Sequence, residues 1–172
     1  MGAIRRYRFD SSHPVTRNPL DPRLDEIYRY WQGKRGGRAF PSRADIQPGE
    51  MGNLVRLLNL IDVLPDPLRF RHRLVGSEQI DWLGRDATGH YVDEALYGRA
   101  AAEIAQTLAT IVREQRPYHR RARLDWNSQS WLEMESVEMP LGEDGTVRMI
   151  LRASVFRQTG TAGQRLQFTP LA

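Results

Sequence analysis

The sequence predicts an α+β fold, in which a five-stranded antiparallel sheet has a helical crossover between its second and third strands and an amphipathic helix in front. Three observations carry this. Leu68, Phe70, His72 and Leu74 alternate with Arg69, Arg71, Arg73 and Val75 at period two, the signature of a half-buried strand. Ala100–Glu114 places Ala101, Ile104, Ala105, Leu108, Ile111 and Val112 on one helical face. After that helix come three β-rich runs with short turns between them, which is the pattern of an antiparallel meander.

The elements follow in order. Residues 1–23 contain Pro14, Pro19 and Pro22 among small polar residues, so they read as an extended or flexible leader. Leu24, Ile27, Tyr28 and Trp31 then fall at i, i+3, i+4 and i+7, predicting a helix over 24–32 that Gly33, Gly36 and Gly37 end. Residues 39–46 are loop, and 48–52 make at most one turn of helix. Val55–Leu64 is the first strand, apolar on both faces, and Pro65-Asp66-Pro67 turns it into the arginine-rich second strand as a hairpin.

Ser77 is the expected N-cap of a short helix over Glu78–Leu83, which Gly84 stops. There follows a dense turn sequence, Gly84-Arg85-Asp86-Ala87-Thr88-Gly89-His90-Tyr91, and then the long helix, ended by Gln115-Arg116-Pro117. Tyr118–Trp126, Ser130–Met139 and Thr146–Phe156 are the last three strands, joined through 127–129 and through Leu141-Gly142-Glu143-Asp144-Gly145. The domain thus spans 24–156, and 157–172 reads as a polar tail.

Composition narrows the function. At 172 residues the chain suits one domain, long enough to bury roughly 68–70% of its unfolded surface. It has no cysteine, which excludes disulfides, thiolate metal sites and a cysteine nucleophile. The start lacks the apolar run of a secretory signal, and no apolar stretch approaches the ~20 residues that span a bilayer, so a soluble cytoplasmic protein without membrane attachment is expected. Net charge is +4, and Lys34 is the one base that is not arginine. Twenty-one acids are interleaved with these bases, so a mixed solvated surface ranks ahead of a nucleic-acid footprint.

Four segments, Arg29-Tyr30-Trp31, Asp62-Val63-Leu64, Arg69-Phe70-Arg71-His72-Arg73-Leu74-Val75-Gly76-Ser77 and Gly84–Tyr91, together resemble the motifs of a bacterial family of stand-alone PAS-type proteins. The resemblance covers about 24–156. It implies a sensory module whose helices and curved sheet enclose a small cavity, acting without catalysis on a signalling partner. It supplies neither a cofactor nor catalytic residues.

Candidate residues are weighed against that cavity. His72 shares the apolar parity of its strand and is aimed inward; a core histidine bonded to a neighbour is the commonest fate of such a residue, ligand contact comes next and haem ligation last. Trp82, Tyr91, Tyr97, Tyr118, Trp126 and Trp131 combine an apolar body with a polar tip, which suits a pocket wall as well as a core, and Trp82, Tyr91, Tyr118 and Trp126 join His72 as the ligand-contact candidates. Asp86 and Thr88 suit turn capping. His13, His90 and His119 offer no metal-ligand spacing, and no phosphate-loop, dinucleotide or hydrolase motif occurs.

The sheet face opposite the crossover needs a cover. Leu24, Ile27, Tyr28 and Trp31 are expected to provide it, either within the chain or as the interface of a homodimer. Three functions compete: a sensory module binding a small molecule of unknown identity, a ligand-free dimeric scaffold, and nucleic-acid binding through Arg69, Arg71, Arg73 and the Arg120–Arg123 cluster. A small-molecule ligand with a homodimeric state and an unknown protein partner is the favoured combination.

Overall fold

The computed structural model describes residues 7–14, 21–127 and 130–161, with side chains over 21–124 and 132–158. The elements are β1 (Tyr7–Pro14), α1 (Pro22–Lys34), a 3-10 segment (Pro48–Leu57), β2 (Leu58–Leu64), β3 (Arg69–Leu74), α2 (Ser77–Leu83), α3 (Glu94–Tyr97), α4 (Ala101–Glu114), β4 (Tyr118–Asn127), β5 (Ser130–Glu143) and β6 (Thr146–Thr161). The strands form one sheet in the order β1-β4-β5-β6-β2-β3, antiparallel at every pairing. The expected five-stranded sheet and its helical crossover are present. A sixth strand joins it, because part of the supposed leader, Tyr7–Pro14, pairs with β4 along the edge that the meander leaves open.

The meander is longer than its sequence suggests. β5 continues through Pro140 to Glu143. Beyond the pair Tyr118↔Glu138 this strand has β6 on one side only, so a residue without an N–H is tolerated there. The β5–β6 turn is Asp144-Gly145, with φ of 51° and 71°, the two left-handed residues of a tight hairpin. β6 likewise runs past Phe156 to Thr161, into the segment expected to be tail. The first strand starts at Leu58 instead of Val55, since Pro48–Leu57 forms a 3-10 segment.

Register assigns the faces, because residues directly opposite each other share one side of the sheet. One face carries Tyr118, Glu138, Arg152 and Asn59 in a transverse row, Arg120, Ser136 and Ser154 in the next, and Ala122, Met134 and Phe156 beyond. His72, opposite Ile61, lies on the same side. α2 and α3 cover this inner face, through the ring stack of Trp82 on Phe156 and the contact of Tyr97 with His72. The other face carries Val137, Met139, Leu151, Ala153 and Val155, all buried.

α1 closes that second face within the chain. Leu24, Ile27 and Trp31 are fully buried and Tyr28 nearly so, and Trp31 Nε1–H donates to Pro140 O at 3.0 Å. Asp21, the N-cap of α1, reaches Arg157 of β6 at 3.6 Å. The four residues considered for a homodimer interface therefore serve the chain's own core. The sheet is wide and apolar on this side, and a thirteen-residue helix directly after β1 is the nearest element that can cover it.

Two further expectations change. Leu68 and Leu74 share the parity of His72 in sequence yet are 47% and 45% exposed: Leu68 precedes β3, and the register shift between Leu60 and Ile61 sets Leu74 opposite Leu60 instead of on the face of His72. Gly76, not Ser77, is the N-cap of α2. A Cβ at Gly76 would lie 2.3 Å from Arg56 O and 2.7 Å from Leu58 O, so only glycine passes between these backbones. Its N–H donates to Asn59 Oδ1 at 2.9 Å, and Asn59 Nδ2 donates to Gln79 Oε1 at 2.7 Å. This buried network welds the start of α2 to β2.

Candidate functional site

The site is built where the turn sequence after α2 meets β3. Gly84 adopts φ 69° as the C-cap of α2, with its N–H on Ile80 O at 2.8 Å. Asp86 Oδ1 then accepts the Thr88 N–H at 2.9 Å, the capping role its position suggests. The next residues do more than turn. His72 N–H donates to His90 O at 2.9 Å, Gly89 N–H to His72 O at 2.6 Å and Val92 N–H to Phe70 O at 2.9 Å, with Tyr91 bridged to Arg71. The segment thus lies along β3 as an extended cover and satisfies an edge that would otherwise be open.

That cover delivers α3 over the inner face. Asp93 caps α3 through Leu96 N–H at 3.1 Å, and Tyr97 Oη comes to rest 2.7 Å from His72 Nε2. His72 is fully buried. Burial, and after it the guanidiniums of Arg152 and Arg85 and the ring of His90, lower its pKa from 6.5 to about 3. The imidazole is therefore neutral at physiological pH. If Tyr97 donates, the ring proton sits on Nδ1, which has no acceptor among the described residues; if the ring donates, Nδ1 is a lone pair without a donor. Either tautomer leaves one buried valence open. The Tyr97 hydroxyl is itself raised by burial, and Arg85 places its guanidinium over the Tyr97 ring at 5.6 Å.

Beside this pair runs a charged belt in the interior. Arg120 and Glu138 are fully buried and Arg152 is 5% exposed. Glu138 Oε2 makes an ion pair with Arg120 Nη2 at 2.5 Å and Glu138 Oε1 accepts from Arg152 Nε at 2.7 Å, so one carboxylate lies between two guanidiniums. Ser136 and Ser154, opposite each other across β5 and β6, are also buried, and neither hydroxyl has a hydrogen-bond partner among the described residues.

The five residues singled out for ligand contact from sequence are not gathered in one place. His72 and Trp82 lie on the inner face, His72 against Tyr97 and Trp82 stacked on Phe156 with ring centroids 6.3 Å apart. Tyr118 shares this face by register, but its hydroxyl is taken by Glu114 Oε2 at 2.5 Å, at the end of α4. Tyr91 belongs to the opposite side: it pairs with Arg71, and Arg69 lies over its ring at 4.9 Å. The turn fixes its parity, which strand alternation in the preceding hairpin does not reveal. Trp126 is on β4, and its side chain lies outside the described residues.

Arg120, Glu138, Arg152 and Tyr97 are the functional candidates absent from that set. A signal for three of them is present in the sequence. Glu138 shares parity with Leu132 and Met134, Arg152 with Ile150 and Phe156, and Arg120 with Ala122 and Leu124, so each charge occupies an inward position of its strand. Their convergence on one carboxylate depends on register, which no single strand encodes.

The arginine-rich surface is largely committed within the protein. Arg71 and Arg73 reach Asp62 at 2.8 and 3.7 Å, Arg69 stacks on Tyr91, and Arg120 is inside. Arg121 and Arg123 stand opposite Glu135 and Glu133. No helix among the described residues is long and apolar enough to cross a membrane, and no group of three or more potential metal ligands occurs among them.

Comparison with curated proteins and with solved structures returns no match. A family model described as PAS domain matches residues 21–153, from the N-cap of α1 to the middle of β6. That span includes α1, the 84–92 cover, the His72–Tyr97 pair and the Arg120–Glu138–Arg152 belt. The antiparallel sheet, the helical crossover and this match agree, and the chain belongs to the PAS domain family, a class of sensory and signalling modules.

Proposed function

We propose that this protein is a non-catalytic sensory module that takes a small molecule between the inner face of the sheet and the α2–α3 segment, and signals by changing its contact with a protein partner. The observation that carries this reading is the buried His72 Nδ1, left without a partner among the described residues, beside a Tyr97 hydroxyl carried by a helix of only four residues. Native proteins satisfy such groups with protein, water or ligand. α3 has only four residues and leans on the turn that flanks β3, so a ligand that bonds His72 or displaces Tyr97 would move it and the 84–92 cover together.

Native mass spectrometry of the purified full chain, with a thermal-shift screen of small metabolites, tests the proposal. A retained small molecule, or a ligand that raises the melting temperature of the wild type and not of Tyr97→Phe and His72→Gln variants, supports it. A high-resolution crystal structure showing only ordered water against His72 Nδ1, with no hit in the screen, would count against it.

A further inference from the structure

The inner face has two chemically distinct ends. Ala122, Leu124, Leu132, Met134 and Phe156, with Trp82 and Leu83 packed over them, form an apolar cluster separate from the main core. The next transverse row is Arg120, Ser136 and Ser154, and the one after it contains Glu138 and Arg152. Apolar and charged ends are thus adjacent along the same three strands, under the same short helix.

We propose that this junction is a subsite for a small carboxylic acid with an apolar body, its carboxylate at Ser136, Ser154 and the guanidinium belt and its body among Met134, Phe156 and Trp82. The inference rests on the sensory reading above and specifies its ligand class. Three observations support it. The Ser136 and Ser154 hydroxyls are at most 1% exposed and have no hydrogen-bond partner among the described residues, and buried hydroxyls in native proteins are bonded. They face each other across one strand pair, so both can donate to a single acceptor group. Two guanidiniums share the Glu138 carboxylate, and the planar fork of arginine is matched to a carboxylate geometry, so the acceptor that fits this neighbourhood is an anion.

Access is through α2. Trp82 and Leu83 are only partly buried, and α2 ends at once in the left-handed Gly84. The last turn of α2, which rests on the sheet through the Trp82–Phe156 stack and Leu83, can lift from its Gly84 end while the Asn59–Gln79 bond keeps the start of the helix on β2.

The test is calorimetric titration of the full-length protein with benzoate and hexanoate as probes, against benzamide and hexanol as neutral counterparts. Expected are saturable binding of the acids, weaker or absent binding of the neutral compounds, and a roughly tenfold loss of acid affinity for each of Ser136→Ala and Ser154→Ala. Both variants remove one oxygen atom from an unbonded hydroxyl, so folding should be retained and is checked by circular dichroism. Acid binding that both variants leave unchanged overturns the placement. Binding of the neutral compounds alone overturns the carboxylate while leaving a ligand-binding module intact. Binding of neither, with ordered water on both serines at high resolution and a metabolite retained by the protein elsewhere, overturns this subsite but not the sensory reading; water on both serines with no retained molecule removes both.

Discussion

Tyr97 Oη lies 2.7 Å from His72 Nε2, joining a four-residue helix to the outer strand of the sheet through a neutral, fully buried imidazole. The pair holds the histidine in a field set by Arg152, Arg85 and His90, and burial disfavours its charged form above all. A pH dependence follows from this arrangement.

His72 has a folded pKa of about 3 against 6.5 when unfolded, so between these values the unfolded chain binds the extra proton. The stability this contributes is complete above pH 6.5 and is lost as pH falls toward 3. Between pH 7 and pH 5 the wild type should lose about 2 kcal/mol more than His72→Gln. Urea denaturation of both proteins at several pH values measures it. Parallel pH profiles would show that His72 is protonated in the fold.

Gly76 is hemmed in by Arg56 O and Leu58 O, with no room for a Cβ. Gly76→Ala should destabilise by about 1–3 kcal/mol, since backbone must shift to admit the methyl. Gly33, inside α1 with open space around it, is the control: Gly33→Ala should be neutral or stabilise by up to ~1 kcal/mol. Urea midpoints at an unchanged slope decide it.

Asn59 accepts from Gly76 N–H and donates to Gln79, in the interior between β2 and α2. Asn59→Ala leaves a buried amide N–H and a buried Gln79 oxygen unbonded, at about 1–3 kcal/mol per orphaned group. Hydrogen exchange should rise selectively at Gly76–Ile80 if the network locks α2. Uniform acceleration across the sheet would argue for a purely global effect.

Trp31 is fully buried on its own sheet and donates to Pro140 O. Trp31→Ala should cost about 3–5 kcal/mol. Because α1 closes the core of its own chain, the wild-type denaturation midpoint should not depend on protein concentration. A midpoint that rises with concentration would mean that a second subunit supplies this cover.

Much of this fold is legible in the sequence because its elements are periodic. The 3.6-residue pattern of Leu24, Ile27, Tyr28 and Trp31 is α1 with two residues added at either end, and the Ala100–Glu114 pattern is α4. Asp144-Gly145 marks its hairpin, since both residues tolerate positive φ. β1 was hidden because Tyr7–Pro14 becomes a strand only where β4 offers an open edge, and such pairing leaves little trace in local pattern.

The site was less legible for the same reason. His72 is visible as an inward histidine on an apolar parity, and Asp86, Thr88 and Gly84 as turn residues. That the following segment turns back along β3, carries Tyr91 to one face and brings Tyr97 to the other is decided by hydrogen bonds between His72, Gly89 and His90.

What the sequence determined by itself is therefore α1, α2, α4 and the five strands β2 to β6, their order, and the inward or outward parity of most of their residues, all of which follow from periodicities of a few residues. Only the tertiary structure decided that α1 covers its own sheet, that Glu138 lies between Arg120 and Arg152, and that Ser136 stands opposite Ser154. Those relationships depend on strand register, and register is set by the packing of the whole sheet against its helices.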